Sequence, residues 1–339
     1  MTDILSVESL GKDYKVRGSP FGRKALVTAV DDCSFAVAQN EVLGLVGESG
    51  SGKSTLARLL TCLIPPDRGR IVLENAAVDV RSARDRRRVS RRIQMVFQDS
   101  YASLNPRHTA AEEVAFGIAA RGEPRSAAER QAREALALVG LAPSLFAERY
   151  PHELSGGQRQ RVNIARAIAL SPKIVILDEA VSALDKSVQA QVLNLLGNLK
   201  DTLGLAYLFI SHDLDVVRYM SDRVVVMYLG KVMEIGSVDA VYDTPAHPYT
   251  KALIASRLST DPTRRTAAAP VIGDPPSPIN PPPGCRFSSR CPIVEPICRA
   301  REPRLTGFGC DQHRLTACHA HIAGSGHRLA PAVEGEESS

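Results

Sequence analysis

The most informative segment of the chain runs from residue 47 to residue 54 and reads Gly47-Glu48-Ser49-Gly50-Ser51-Gly52-Lys53-Ser54. An apolar run, Val42–Val46, precedes it, and a pattern typical of a helix, beginning at Thr55, follows it. A glycine-rich loop between a buried strand and a helix lets backbone N–H groups converge on phosphate oxygens. The segment therefore predicts a phosphate-binding loop in an α/β protein.

Polar side chains in and near this loop predict a nucleoside triphosphate and Mg²⁺ as its ligands. Lys53 would place a positive charge at the β- and γ-phosphates, and the Ser54 hydroxyl would bind Mg²⁺. A second apolar run, 174–177, ends in Asp178 and Glu179. The carboxyl end of a buried strand beside the loop is the place for a second magnesium ligand, Asp178. Glu179 would then position or deprotonate the attacking water.

A second glycine-rich string lies further along the chain and reads Leu154-Ser155-Gly156-Gly157-Gln158. Ser155 is a favourable residue for the N-terminal cap of a helix, and the apolar pattern after it is helical to about residue 170. The N-terminus of a helix presents free N–H donors and the positive end of its dipole. This string therefore predicts a second site for a phosphate.

The composition is that of a globular protein with a sizeable core. Of the 339 residues, 44% are apolar, and the net charge of +5 is too small to demand a nucleic-acid partner. The densest basic segment, from Arg81 to Arg92, contains seven arginines. We interpret it as a solvated face of a helix or loop, with a patch that contacts lipid headgroups or a partner protein as the alternative.

No apolar stretch approaches the ~20 residues that a membrane-spanning helix needs. The first residues carry neither a basic nor an apolar signal region, so we expect a cytosolic protein. Seven cysteines in such a protein indicate free thiols or metal ligands rather than disulfides. Cys33 and Cys62 lie in apolar contexts and are expected to be inert, whereas the other five crowd into one C-terminal segment.

The order of the patterns predicts several units. Short β segments, interrupted by a turn-rich stretch at 17–22, occupy the first part of the chain, and buried strands then alternate with helices. Such alternation indicates a parallel sheet covered on both faces, into which a helical block is inserted. Eight prolines between Pro262 and Pro283 indicate an extended linker. The predicted units are a nucleotide-binding domain, its helical subdomain, the linker, a C-terminal extension and a disordered tail: 1–258, about 99–157, 259–284, 285–323 and 324–339.

The two glycine-rich strings and the carboxylate pair, in this order, resemble the ATP-hydrolysing subunits of ABC transporters. The resemblance implies a P-loop NTPase with a RecA-like parallel sheet, an N-terminal antiparallel β subdomain and an inserted helical subdomain. It also implies that ATP and Mg²⁺ are the ligands and that the chain is an ATPase.

The resemblance assigns roles to four further parts of the sequence. Gln98, which follows the strand pattern 93–97, matches the family's Q-loop glutamine, and the string 182–185 matches its D-loop. His212 matches the switch histidine near the γ-phosphate, and Tyr14 matches the aromatic residue that stacks on adenine, with an ordinary surface aromatic as the alternative. The implied catalytic residues are Lys53, Gln98, Glu179 and His212. The implied Mg²⁺ ligands are Ser54, Gln98 and Asp178. The implied nucleotide-binding residues are Tyr14, Gly47, Glu48, Ser49, Gly50, Ser51, Gly52, Lys53, Ser54, Thr55, Gln98, Asp178, Ser155, Gly156, Gly157 and Gln158.

In this family the string at Ser155 faces the γ-phosphate bound to the opposite ATPase subunit. The resemblance therefore implies that each site is completed in trans, either by a second, paralogous ATPase or by a second copy of this chain. ATP would join the two subunits and hydrolysis would release them.

Three strings narrow the resemblance to the ATPases of oligopeptide and dipeptide importers. They are the segments 98–107, 246–253 and 281–292, and the similarity spans about residues 4–320. The resemblance implies two transmembrane permeases, one of which would place a short cytoplasmic helix on the block 98–141, and an extracytoplasmic substrate-binding protein. It implies a peripheral position on the cytoplasmic face of the inner membrane. Oligopeptides, dipeptides, nickel chelates and other small solutes all stay open as substrates.

The C-terminal cysteines also match a pattern of these importers, in which four cysteines resemble a [4Fe-4S] site. The matching residues are Cys285, Cys291, Cys298 and Cys318. Their spacing is neither that of common zinc ribbons nor that of compact ferredoxins, so free thiols and zinc stay open. Cys310 is an alternative fourth ligand, although Cys318 precedes a histidine as in the family pattern.

A different class of function is a soluble ABC ATPase that acts on nucleic acid or ribosomes. Such proteins commonly carry tandem cassettes or long coiled-coil insertions, and this chain has one cassette and no long heptad run. Its basic segment is not interleaved with aromatic residues as nucleic-acid-binding faces are. We therefore expect no nucleic-acid partner.

Overall fold

A computed structural model describes residues 2–16, 25–256, 279, 281–309 and 311–331. The predicted turn at 17–22, most of the proline-rich linker, Cys310 and the tail from residue 332 lie outside the described residues.

In the part of the chain that the structure describes, twelve strands build two sheets. In chain order, the strands are β1 (Asp3–Val16), β2 (Ala25–Ala38), β3 (Val42–Val46), β4 (Arg68–Leu73), β5 (Ala76–Ala77), β6 (Ile93–Val96), β7 (Ile174–Asp178), β8 (Ala206–Ile210), β9 (Arg223–Tyr228), β10 (Lys231–Ser237), β11 (Thr306–Phe308) and β12 (Asp311–Thr316). The eight-stranded sheet has the order β11-β12-β10-β9-β3-β8-β7-β6, and the four-stranded sheet has the order β2-β1-β4-β5.

The core of the larger sheet is parallel, as the alternating pattern predicts. Strands β6, β7, β8, β3 and β9 pair in parallel, and Leu45 lies between Ile210 and Val225. Every residue of β3, β7 and β8 is buried, which explains why these strands are continuous apolar runs rather than alternating ones. Their carboxyl ends form one edge, where phosphate-binding loops of α/β proteins lie.

The smaller sheet is antiparallel and departs in detail from the expected short strands. β1 and β2 each contain 14 residues and pair along nearly their full length, from Asp3 opposite Ala38 to Val16 opposite Ala25. Register shifts interrupt the pairing, and Ser9 has a positive φ of 46°. Such bulges break the two-residue apolar alternation, and this is why the sequence pattern made one long hairpin look like several short strands.

Helices cover the sheets and form the inserted block. In chain order, the helices are α1 (Lys53–Leu60), α2 (Ala83–Arg92), α3 (Ala110–Ala119), α4 (Arg125–Leu138), α5 (Pro143–Phe146), α6 (Gly156–Ile168), α7 (Lys186–Leu203), α8 (Leu214–Met220), α9 (Val238–Asp243), α10 (Pro248–Ala255) and α11 (Pro296–Ala300). Helix α3 begins at a capping box in which the Thr109 hydroxyl accepts from the N–H of Glu112 and the Glu112 carboxylate accepts from the N–H of Thr109.

The arginine-rich segment forms helix α2, and Val89 is its only buried residue. The guanidinium of Arg92 pairs with Glu74 at 3.1 Å, and that of Arg88 donates to the carbonyl of Ala77 at 2.9 Å. The helix thus has a narrow apolar contact and a broad charged face. This agrees with the interpretation of a solvated face.

The C-terminal segment continues the larger sheet instead of standing apart from it. Strand β12 pairs antiparallel with β10, and the side chains of Cys285, Phe287 and Cys298 belong to the main hydrophobic core. Residues 324–331 belong to the tail that we predicted to be disordered; most of them are exposed, but the His327 ring is buried and bonds the carbonyl of Ile293 at 3.0 Å. That prediction rested on the small and polar residues of the tail, and such a composition does not indicate that the His327 ring is buried.

Within the described ranges, no helix combines the length and the apolar character that crossing a membrane requires.

Candidate functional site: a nucleotide site at the carboxyl edge of the parallel sheet

The phosphate-binding loop lies between β3 and α1, as predicted. Its last glycine, Gly52, has φ 101°, and a Cβ atom there would lie 2.2 Å from the carbonyl oxygen of Ala29. Only glycine fits this position, because other residues rarely adopt that φ and a Cβ would overlap backbone. Ser49 and Gly50 are exposed at the tip of the loop. Thr55 is half-buried in α1.

The Lys53 ammonium points back into the loop. Its Nζ donates to the carbonyl oxygens of Gly47 at 2.7 Å and Glu48 at 2.9 Å, and to the Ser51 hydroxyl at 3.2 Å. Burial lowers the pKa of Lys53, while the nearby carboxylates, Glu179 first, oppose that effect. The loop backbone and this cation therefore form a single preorganised unit.

The two side chains expected to share a Mg²⁺ ion lie together. The Ser54 hydroxyl donates to a carboxylate oxygen of Asp178 at 3.3 Å. Burial raises the pKa of Asp178 above its ordinary value; the hydrogen bond from Ser54 opposes this, and the neighbouring Glu179 charge adds to it. Hydroxyl and carboxylate oxygens are the hard donors that Mg²⁺ prefers, so the pair fits the ion in kind.

Glu179 is the centre of a small hydrogen-bonded group. Its carboxylate oxygen Oε2 accepts from Gln98 Nε2 at 2.7 Å and lies 3.3 Å from His212 Nδ1. Glu179 has a positive φ of 51°, and its N–H donates to the carbonyl of Ile210 at 2.9 Å. A non-glycine residue in this conformation is uncommon, and such residues cluster at functional sites.

Gln98 was predicted both to act in catalysis and to bind Mg²⁺. The structure brings it to Glu179, and within the described residues no hydrogen bond joins it to Ser54 or Asp178. The side chain of His212, which follows β8, is 63% exposed although it contacts Glu179. The string 182–185 lies next to this group, because the Ser182 hydroxyl donates to the carbonyl of Glu179 at 2.9 Å.

The second glycine-rich string begins helix α6, as predicted. The Ser155 hydroxyl accepts from the N–H of Gln158 at 3.3 Å, and the Gln158 side chain accepts from the N–H of Ser155 at 2.9 Å. Ser155 and Gly156 are exposed, whereas Gly157 is buried with Val188 so close that a Cβ would lie 2.5 Å from its Cγ1. No hydrogen bond links this helix start to the loop 47–54 among the described residues.

Tyr14 lies in β1 and is 38% exposed. The ammonium of Lys12 lies 5.7 Å from the centre of its ring. An exposed ring on the smaller sheet could stack on a base, and the structure leaves this role a prediction.

The sequence analysis missed two residues that hold the phosphate-binding loop. The N–H of Glu48 donates to the Tyr249 hydroxyl at 2.9 Å, and the guanidinium of Arg290 contacts both Glu48 carboxylate oxygens, at 3.0 and 3.1 Å. Tyr249 and Arg290 lie in two of the strings that indicated peptide importers. Those strings drew attention to a subfamily, and nothing in their spacing indicated a contact some 200 residues away.

The four predicted cluster ligands line one small cavity in the C-terminal segment. Its lining includes the thiols of Cys285, Cys291, Cys298 and Cys318 and the ring of His319. Burial raises the pKa of the Cys285 thiol to about 12 and that of Cys318 to about 11. His319 Nδ1 is buried without a hydrogen-bond partner.

The enclosed space measures about 10 Å³, which is room for about one water molecule. Across the described ranges no group of three or more His, Cys, Asp or Glu side chains is spaced to hold a metal ion. The structure therefore places the four predicted thiols around one cavity, but it does not arrange them as a formed metal site.

Comparisons with known proteins show which families and relatives the chain is similar to. Residues 30–182 match the family described as ABC transporter, and residues 233–298 match the oligopeptide/dipeptide transporter C-terminal region. A probable peptide ABC transporter ATP-binding protein of Sinorhizobium fredii is 47% identical over 333 residues, which cover 97% of this chain and 93% of the relative. The oligopeptide transport ATP-binding protein AppF of Bacillus subtilis is 46% identical over 324 residues, with 94% and 97% covered.

Solved structures give the same result for the fold. The cbiO1 protein of Clostridium perfringens, part of the ABC transporter complex cbiONQ, superposes with a TM-score of 0.62 at 28% identity, covering 71% of this chain and 91% of that one. The ATP-binding cassette MJ0796, in a dimeric post-hydrolysis state bound to ADP and phosphate, superposes with a TM-score of 0.60 at 26% identity, covering 69% and 98%.

Proposed function

Because this chain belongs to the ATP-binding subunits of ABC transporters, we propose that it hydrolyses ATP to energise the import of peptides. The observation that carries the peptide assignment is the match of residues 233–298 to the oligopeptide/dipeptide transporter C-terminal region. Identities of 46–47% to peptide-transport subunits over more than nine-tenths of the chain support it.

For the chemistry, we propose Glu179 as the group that activates the attacking water. Its position at the end of β7, beside the Lys53 loop, and its contacts with Gln98 and His212 support this role. Lys53 would bind the β- and γ-phosphates, and Ser54 and Asp178 would hold Mg²⁺, which neutralises phosphate charge when bound. The hydrogen bond from Gln98 would keep the carboxylate oriented until the water and the γ-phosphate are in place.

A second ATPase subunit would complete each site. The exposed start of α6, which Ser155 caps, supports binding of a phosphate from outside this chain, since it makes no hydrogen bond to the chain's own loop within the described residues. The similarity to a dimeric cassette supports the same arrangement. The partner would be a related ATPase or a second copy of this chain.

A groove between the parallel sheet and the inserted helices is the proposed contact with a permease. It measures about 570 Å³ and includes the side chains of Phe97 and Phe116, which are 39% and 65% exposed. Exposed aromatic rings beside the Gln98 segment suit a short apolar helix face. Motion of the permease helix would displace Gln98 and, through its hydrogen bond, the Glu179 carboxylate. The full assembly would hold two permeases and an extracytoplasmic substrate-binding protein, and this chain would lie on the cytoplasmic face of the inner membrane.

We propose that Cys285, Cys291, Cys298 and Cys318 hold an iron–sulfur cluster. Four thiols of one segment around one cavity are the donor set for such a cluster, and the thiols would have to part to admit it. A bound cluster would cross-link a segment that is rich in proline. Anaerobically purified protein should contain equal amounts of iron and acid-labile sulfide, and Cys298→Ser should lose both. Zinc, or no metal, would overturn this assignment.

Uptake of a labelled tripeptide by cells that lack the chromosomal copy tests the function. Cells that carry the wild-type chain should accumulate the peptide, and cells that carry Lys53→Ala should not, because the loop loses its phosphate-binding cation. Arg70→Ala, which changes a 67% exposed side chain on β4 of the smaller sheet, is the matched control and should support normal uptake. Peptide uptake that is independent of the chain, or its purification with ribosomes instead of permeases, would contradict the proposal.

A further inference from the structure

The phosphate-binding loop carries a negative charge of its own, which Arg290 covers. Glu48 follows the first glycine of the loop, and one nitrogen of the Arg290 guanidinium lies 3.1 and 3.0 Å from its two carboxylate oxygens. The same nitrogen donates to the Tyr228 hydroxyl at 3.2 Å. The Arg290 side chain is 8% exposed, so solvent screens this ion pair poorly.

A carboxylate at this position acts against the function of the loop. A loop that binds a triphosphate concentrates positive charge and N–H donors, and an uncovered carboxylate would repel the phosphates. Glu48 also takes part in the phosphate-binding geometry, because its carbonyl oxygen accepts from Lys53 Nζ at 2.9 Å. A displacement of the Glu48 backbone would therefore disturb one of the three hydrogen bonds that orient the cation that is to meet the β- and γ-phosphates.

We propose that Arg290 is a positioning residue of the ATP site: it neutralises Glu48 and holds it away from the bound phosphates. This inference rests on the proposed function, in which the loop binds ATP. It makes the C-terminal segment part of the nucleotide site. Two aromatic side chains support the contact between Arg290 and Glu48, since the Arg290 guanidinium lies 5.9 Å from the ring centres of Tyr228 and Phe287.

A second arginine of the same segment provides a matched control. The Arg286 side chain is 7% exposed and pairs with Asp31 of β2 at 2.5 Å. Both arginines therefore fasten the C-terminal segment to the ATPase core, but only Arg290 reaches the phosphate-binding loop. If the role of Arg290 were only to fasten the segment, both substitutions would change ATP kinetics alike.

The experiment measures KM for ATP and kcat in the full chain with Arg290→Met, which removes the charge and keeps an apolar stem. We expect KM to rise about fivefold or more, as for a broken contact between coupled side chains, while kcat changes less than about twofold. Arg290→Lys keeps the charge and should stay within about twofold of the wild-type KM. Arg286→Met should leave KM unchanged.

The decisive variant is the double substitution Arg290→Met with Glu48→Gln. Removing the repelling carboxylate should return KM to within about twofold of wild type, because the cover is then no longer needed. A double variant as impaired as Arg290→Met, or an equal rise of KM in Arg286→Met, would overturn the inference. Thermal unfolding of each variant identifies a loss of fold. Absence of Mg²⁺-dependent ATP hydrolysis by the wild-type chain in its assembled transporter complex would instead refute the proposed function, so the two failures are distinguishable.

Discussion

Replacing Glu179 by glutamine tests the chemistry of the site most sharply. Glutamine keeps the size of the side chain and one carbonyl oxygen that can accept from Gln98 Nε2, which lies 2.7 Å from the carboxylate. It removes the base and the negative charge 3.3 Å from His212 Nδ1. The phosphate-binding contacts of Lys53 and the Ser54–Asp178 pair do not involve this carboxylate, so binding and catalysis should separate.

The magnitude follows from the role. A positioned general base contributes about 10²- to 10⁴-fold, so kcat should fall by that factor, which is about 3 to 5.5 kcal/mol in the activation free energy. The Kd for ATP should change less than about threefold, because no phosphate-binding group is altered. Phosphate release at saturating Mg²⁺-ATP and nucleotide binding by fluorescence measure the two quantities. A decrease in kcat of less than about fivefold would refute the assignment of Glu179 as the base. A large loss of ATP affinity would show that Glu179 acts in binding.

Three other changes have expected outcomes. Asp178→Asn should raise the melting temperature of the nucleotide-free chain at pH 7 by about 2 °C: burial raises the pKa of this acid, so its contribution to stability is present below its unfolded pKa and is lost as the pH rises through the folded pKa. Calorimetry in the absence of Mg²⁺ checks this, and an unchanged or lower melting temperature would contradict it. Gly157→Ala would place a Cβ 2.5 Å from Val188 Cγ1 and should reduce the free energy of unfolding, measured in urea, by about 1–3 kcal/mol. The double variant with Val188→Ala should recover this stability, because the contact is then removed. An equal loss in the double variant would show that the contact is not the cause. Thr109→Ala removes the N-terminal cap of α3 and should reduce the free energy of unfolding by about 1 kcal/mol in the same measurement. An unchanged free energy of unfolding would mean that the capping box is dispensable.

Local patterns predicted the parts of the site that are built from consecutive residues. The loop at Lys53, the strand end at Asp178 and the capped helix at Ser155 each combine a short motif with its own flanking element, so sequence alone places them. The loop and the strand end lie together because the carboxyl ends of parallel strands share one edge of the sheet.

Contacts between distant segments could not be predicted in this way. The pairing of Arg290 with Glu48 joins residues 242 positions apart, and no motif indicates it. Burial of His327 likewise depends on a cavity wall formed by another segment. The bulged pairing of β1 and β2 hides its own length, because each bulge reverses which residues face the core. In each case the tertiary partner, rather than the local pattern, decides the structure.

Mixing two inactive variants tests whether one triphosphate is held between the loop of one subunit and the α6 start of another, as we propose. Lys53→Ala disables the loop, and Ser155→Arg blocks the helix start that the structure leaves exposed. Each variant alone should hydrolyse ATP at background rate. At concentrations where Glu179→Gln forms ATP-dependent dimers, mixed dimers keep one site with both halves intact, so the mixture should regain about a quarter of the wild-type rate if the variants pair at random and each site works independently. A mixture as inactive as its components, with mixed dimers present, would contradict the claim.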